Sequence, residues 1–140
     1  PYVIEYNVRM GDPETQVVLP RIKSDFLELM ARTANQTLNN FDLQIHEETY
    51  ANIVMVAGGY PESYEKGNPI TGIPKDNETS KIFHAGTKEV DNKFFTNGGR
   101  VLSVVSKGSD FKQALSKSYE IAEKIDFKDK NYRKDIGFDL

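Results

Sequence analysis

Val3-Ile4-Glu5-Tyr6-Asn7-Val8-Arg9-Met10, followed by Gly11-Asp12-Pro13-Glu14-Thr15-Gln16, is the stretch around which the chain is organised. With the period of two of a β-strand, Tyr2, Ile4, Tyr6, Val8 and Met10 share one face and Glu5, Asn7 and Arg9 the other. One face is apolar or aromatic. The other sets a carboxylate, an amide and a guanidinium in a row. An ordinary half-buried strand also alternates, so a solvated outer face explains the pattern equally well until its chemistry is considered.

Two oxygen-bearing side chains two residues apart on a strand start about 6 to 7 Å apart, a gap their side chains can close onto one small cation. Mg²⁺ suits such a pair, because it takes one or two protein oxygens and completes its octahedron with water and phosphates. Arg9 cannot ligate a metal. Its planar fork of donors fits a phosphate or an acyl phosphate. The predicted edge therefore offers a metal and a phosphate side by side.

This stretch closely resembles the metal-binding strand of the ATP-grasp ligases, and within them of the phosphoribosylamine–glycine ligases. Glu5-x-Asn7-x-Arg9 is shared by several ATP-grasp enzymes. The continuation through Gln16 is far more specific. Further along, Gly59-Tyr60-Pro61-x-x-Tyr64-x-Lys66-Gly67, Ile70-Thr71-Gly72-Ile73, Phe83-His84-Ala85-Gly86-Thr87, Asn97-Gly98-Gly99-Arg100-Val101 and Tyr132 to Gly137 resemble C-terminal segments of the same family, in the same order. Met10 stands where the family more often has phenylalanine, a change confined to packing.

The resemblance implies an α+β chain. Residues 1–45 would be the end of an ATP-grasp domain, with a metal-binding strand and a helix, and 46–140 a small antiparallel β-rich C-terminal domain with a terminal helix. It also implies roles. Glu5 and Asn7 would hold Mg²⁺ or Mn²⁺ bridging ATP phosphates, Arg9 would be catalytic beside the acyl phosphate, and Asp12 and Glu14 would shape the loop at the substrates. Asp12 and Glu14 as a glycosidase-type acid and base is the weaker alternative, since acids in a turn are ordinarily solvated. The implied reaction joins glycine to 5-phosphoribosylamine at the expense of ATP, through glycyl phosphate, within purine biosynthesis. No glycine-rich phosphate loop leads into a helix here. The nucleotide grip is therefore expected upstream of Pro1, the isolated chain is expected to be inactive, and the parent to be monomeric. Another ATP-grasp ligase, or a free-standing binding domain without catalysis, are the competing assignments.

Composition narrows the field. The 140 residues carry 18 basic and 21 acidic side chains, a net charge of −3, without a basic stripe, which argues against nucleic acid as a partner. The absence of cysteine excludes disulfides and thiolate metal sites. No apolar run reaches membrane-spanning length and no secretory signal is evident. A cytoplasmic protein without membrane contact is expected.

The remaining chain yields further expectations. Ser24 is the expected cap of a helix whose stripe of Phe26, Leu27, Met30, Ala34 and Leu38 should be core, stopped by Asn39-Asn40. Tyr50 to Ala57 reads as a strand. Asn97-Gly98 predicts a hairpin joining Lys93-Phe94-Phe95 to Val101 to Val105, and Asn97, Gly98 and Gly99 could form an anion-binding nest through positive φ. Arg100 at its exit is the candidate holder of the 5-phosphate. His46 is assigned to the surface and His84 to a structural hydrogen bond rather than general base work. Asp110 with Gln113 predicts a capping box for a last helix burying Phe111, Ala114, Leu115, Tyr119, Ile121, Ala122 and Ile125. The run Lys124 to Lys130 reads as solvated surface.

Overall fold

This computed structural model describes residues 2–6 and 8–140. The chain divides into two compact units, Pro1–Glu48 and Thr49–Leu140.

In the first unit, α1 (Thr15–Val18) runs into a 3₁₀ turn (Leu19–Arg21), and α2 (Phe26–Ala34) into a second 3₁₀ turn (Leu38–Asn40). Asp25, not Ser24, caps α2: its carboxylate accepts from the Glu28 N–H at 2.8 Å. The Ser24 hydroxyl instead accepts from Gln44 N–H at 2.8 Å, helping to pin the segment where Ile22 bridges Ile45. The helix stops at Ala34, ahead of the expected asparagines, with Asn35 as its C-cap and Gln36 at φ 57°.

Two further expectations fail in this unit. Among the described residues, none from 2 to 10 belongs to a strand, since an extended segment becomes one only by pairing and nothing in the unit pairs with it. Asn7 lies outside the described residues. The stripe on α2 is not core either, because Phe26, Leu27, Met30, Ala34 and Leu38 are all exposed. A nine-residue helix without a sheet beneath it has too little apolar surface around it to be covered.

The second unit is the antiparallel sheet-and-helix domain expected. Its strands are β1 (Thr49–Val56), β2 (Pro69–Ile70), β3 (Ser80–His84), β4 (Thr87–Val90), β5 (Lys93–Thr96) and β6 (Arg100–Gly108), followed by α3 (Phe111–Lys124). They form two three-stranded sheets, ordered β1-β6-β3 and β2-β5-β4. β6 pairs with β1 on one edge (Ile53 opposite Val104) and with β3 on the other (Ile82 opposite Val104). Ile53, Met55, Leu102 and Val104 form the core with Ala122 and Ile125 from α3 and its exit.

The hairpin lies elsewhere than expected. β5 and β6 belong to different sheets, so Asn97-Gly98 is not a hairpin turn. The tight turn is Asp91-Asn92 between β4 and β5, both residues at positive φ (50° and 58°), the conformation of a type I′ turn. Asn97, Gly98 and Gly99 are instead an excursion where one ladder passes from sheet to sheet, with Gly86 opposite Arg100 on one side and Thr87 opposite Thr96 on the other.

At α3 the capping box is close to its expected form. Asp110 accepts from Gln113 N–H at 2.8 Å, while the Gln113 side chain takes the Ser109 N–H, not that of Asp110, at 3.0 Å. Of the expected stripe Ala114, Ala122 and Ile125 are buried and Phe111, Leu115, Tyr119 and Ile121 half-buried; Ser118, whose hydroxyl donates to the Ala51 carbonyl at 3.3 Å, is buried as well. The run Lys124 to Lys130 is only partly surface. Ile125 and Phe127 are core, and the Lys130 ammonium donates to the carbonyls of Ala122, Glu123 and Ile125, satisfying helix-end acceptors. Beyond it, Asn131 exchanges two backbone hydrogen bonds with Val56.

Leu102 is 0 % exposed in the strand paired on both edges. Leu102→Ala is therefore expected to cost about 2–5 kcal/mol in urea unfolding of the whole chain, the range for emptying a buried leucine site.

Candidate functional site

Glu5, Arg9, Asp12 and Glu14 belong to the first unit, and Asn97, Gly98, Gly99 and Arg100 to the second. Glu5 and Arg9 are exposed, and an Arg9 guanidinium nitrogen donates to the Met10 carbonyl at 3.1 Å. The Gly11-to-Gln16 turn is locally braced. Thr15 N–H and its hydroxyl both donate to the Gly11 carbonyl, and the Gln16 amide nitrogen donates to Asp12 at 3.4 Å. The Glu14 carbonyl accepts the Val17 and Val18 N–H groups, and its side chain lies over Gly11. Sequence inspection assigned no role to Gln16. Its amide oxygen is buried, with no hydrogen-bond partner among the described residues.

A resident cation can be tested against these donors. No group of three or more His, Cys, Asp or Glu side chains gathers among the described residues. That excludes a zinc-type cage formed by those residues. A surface carboxylate at Glu5 suits Mg²⁺, which needs only one or two protein oxygens and draws the rest from water and phosphate.

In the second unit the excursion is held from both sides. Asn97 N–H donates to the Gly86 carbonyl and Gly86 N–H to the Arg100 carbonyl, each at 2.7 Å, and Ala57 N–H donates to the Gly99 carbonyl at 2.8 Å. Neither Gly98 nor Gly99 has positive φ, so the expected nest is not built that way. Glycine is required there for space. A Cβ on Gly86 would stand 2.6 Å from the Gly98 Cα, and one on Gly99 2.6 Å from Cε2 of Tyr60. His84 occupies the same bend: Nδ1 is 3.0 Å from the Thr87 hydroxyl and its ring lies 4.5 Å from that of Phe94. His84 thus has a side-chain hydrogen-bond partner in the bend.

Beside Tyr64, a cleft of about 360 Å³ is lined by Gly58, Ser63, Glu65, Asn68, Lys128 and Asp129. The Lys128 ammonium donates to Glu65 at 2.7 Å. This hydrogen bond, reinforced by the charge of Glu65, raises the Lys128 pKa above the ordinary lysine value.

With this geometry in view, comparison with known proteins is decisive. The family described as Phosphoribosylglycinamide synthetase, C domain, matches residues 50–139. The chain belongs to this family. The match covers nearly the whole second unit. Phosphoribosylamine–glycine ligase of Fusobacterium nucleatum is 50% identical over 139 residues, spanning 97% of this chain and 33% of the relative. The bifunctional purine biosynthetic protein PUR2,5 of Pichia angusta is also 50% identical, over 138 residues, spanning 98% of this chain and 18% of that protein. A solved structure of phosphoribosylamine–glycine ligase from Thermotoga maritima matches with a TM-score of 0.74 at 39% identity, covering 96% of this chain and 33% of that one. The chain thus spans about a third of the single-enzyme relatives' length. Among the described residues no helix is long and apolar enough to cross a membrane.

Glu65→Gln is expected to bring the Lys128 titration down toward the ordinary lysine value, followed by NMR. The sign follows from the raised value: the pair's contribution to stability is present below the unfolded lysine pKa and is lost as pH rises through the folded one. Both side chains are more than half exposed. Solvent and salt screening therefore keep that contribution small, and the melting temperature at neutral pH should barely move.

Proposed function

We propose that this chain is part of an ATP-dependent carbon–nitrogen ligase that joins glycine to 5-phosphoribosylamine, giving glycinamide ribonucleotide, ADP and phosphate in cytoplasmic purine biosynthesis. The observation that carries this is the 50% identity to a phosphoribosylamine–glycine ligase along 97% of the chain, which reaches well ahead of the C domain that starts at residue 50. In this proposal residues 1–45 close the ATP-grasp domain and 46–140 form the C-terminal domain. The rest of a monomeric parent supplies the nucleotide grip.

The glycine carboxylate takes the γ-phosphoryl group of ATP, giving glycyl phosphate and ADP. The amine of 5-phosphoribosylamine then attacks the acyl carbon. The C–N bond forms, the C–O bond to phosphate breaks, and the amine loses a proton. Negative charge on the phosphoryl oxygens rises along this path, so positioning and electrostatics carry most of the catalysis. Glu5 and Asn7 would hold the metal. A bound Mg²⁺ (or Mn²⁺) supplies charge neutralisation at the ATP phosphates. Arg9 meets the acyl phosphate with its fork of donors. Asp12 and Glu14 shape the braced loop, and Arg100, presented by the Asn97-to-Gly99 segment, holds the 5-phosphate of the amine substrate.

In a full-length ligase carrying this sequence, Glu5→Ala is expected to lower kcat at least 10²-fold, the scale on which loss of one electrostatic contact acts, and to change the Mg²⁺ dependence. Arg100→Ala should raise KM for 5-phosphoribosylamine about 10-fold or more while KM for ATP holds, as loss of a charged phosphate contact predicts. Unchanged constants would remove these residues from the site.

The isolated chain should show no binding of ATP with Mg²⁺ by isothermal titration. Measurable nucleotide binding would contradict a grip located elsewhere in the enzyme, and favour a free-standing binding domain.

A further inference from the structure

Arg100 serves a phosphate at least entropic cost if its backbone is fixed, and it leaves a segment that stands outside both strand ladders. Between the Gly86–Arg100 and Thr87–Thr96 positions, Asn97, Gly98 and Gly99 stand outside the strand ladders, tied at their ends by Asn97 N–H to the Gly86 carbonyl and Ala57 N–H to the Gly99 carbonyl. Unpaired excursions of this kind are ordinarily loose. Here three sets of contacts oppose that. Thr96, just before it, is buried and donates its N–H to the Asn68 carbonyl at 2.8 Å, while its own carbonyl accepts from Gly67 N–H at 2.6 Å. Gly86 lies against Gly98 so closely that a Cβ on either would come within 3 Å of the other's Cα. Gly99 is buried against two aromatic rings. A Cβ there would stand 2.6 Å from Tyr60 Cε2, closer still to Cδ2, and 3.0 Å from Tyr64 Cε1. The rings brace one another, with centroids 6.1 Å apart at 59°, and Tyr64 packs on the hydrophobic core. Packing contacts thus run from the core through Tyr64 and the partly exposed Tyr60 to Gly99, the residue before Arg100.

We propose that Tyr60, Tyr64 and Gly86 are positioning residues for the 5-phosphoribosylamine subsite, clamping Gly98-Gly99 so that Arg100 is presented in one conformation. This rests on the assignment of Arg100 to the phosphate made above. The rings act by occupying space and contribute no hydrogen bond to the substrate, so shape decides their effect. A displacement of the anchored segment by about 1 Å is enough to weaken a binding constellation of this kind 10- to 100-fold.

The test uses the full-length ligase carrying this sequence. It reads KM for 5-phosphoribosylamine and for ATP, affinity for ribose 5-phosphate as a stable probe, and thermal melting. Arg100→Ala serves as the reference. Gly99→Ala is expected to weaken ribose 5-phosphate about 10- to 100-fold with KM for ATP unchanged, because the added methyl meets the Tyr60 ring. Adding Tyr60→Ala to it opens the space and should bring the loss back to the level of Tyr60→Ala alone. Gly86→Ala is not recovered by Tyr60→Ala, since its methyl meets the backbone of Gly98 and Arg100. Tyr60→Phe keeps the ring and should match the parent, whereas Tyr60→Ala alone raises KM for 5-phosphoribosylamine about 10-fold. If Gly99→Ala does not fold, the contrast between Tyr60→Phe and Tyr60→Ala decides. If Arg100→Ala weakens the probe but the Tyr60 and Gly99 variants alter only melting, the clamp is wrong and the phosphate assignment stands. A silent Arg100→Ala overturns both.

Discussion

The strand Arg100–Gly108 carries the second unit. It is hydrogen-bonded along both edges, to β1 and to β3, and from Val101 to Ser106 every residue is buried. A strand in that position satisfies its backbone entirely within the protein and contributes both faces to burial, so it cannot shift register without stranding polar groups or exposing apolar ones. α3 packs where β1 and β6 meet, and the chain after α3 is tied back to the ends of β1 and β2 by paired backbone bonds at Val56–Asn131 and Thr71–Asp126. Arg100 is the first residue of this strand. Gly98 and Gly99, just before it, pack against Gly86, Tyr60 and Tyr64.

The first unit is governed by the opposite condition. Tyr2, Ile4, Tyr6 and Val8 are each more than four-fifths exposed, and α2 buries none of its residues. Local hydrogen bonds still organise it, through the Asp25 cap, the Gly11–Thr15 turn and the Glu28–Arg32 pair at 2.8 Å, with the Arg32 guanidinium 5.4 Å from the centre of the Phe41 ring. Such local contacts shape turns and helices but bury little apolar area, which is the main source of stability in a folded domain. The relatives are about three times as long as this chain.

Turn chemistry was the least legible part of the sequence. Asn97-Gly98 carries a stronger hairpin signature than Asp91-Asn92, yet the hairpin is at the latter. The competing requirement at 97–99 was close packing of backbone against Gly86 and Tyr60, which selects glycine for its size and produces the same letters as a turn. The Lys124-to-Lys130 run misled for a similar reason. Its charges dominate the composition, while Phe127 and the amphipathic stem of Lys130 are turned inward to close the end of α3.

By itself the sequence determined what depends on local pattern and on chemical identity: the strand at Tyr50, the capped last helix, the α+β class, and a run of motifs distinctive enough to place the chain in its family. Hydrogen-bonding side chains and apolar periodicity act within a few residues, so they are readable in order along the chain. Only the tertiary structure decided which strands share a sheet, that the Asn97–Gly99 segment crosses between sheets, and that Tyr60 and Tyr64, some forty residues upstream, close over Gly99. Those outcomes depend on contacts between residues far apart in sequence, where what selects a side chain is the volume left by its neighbours.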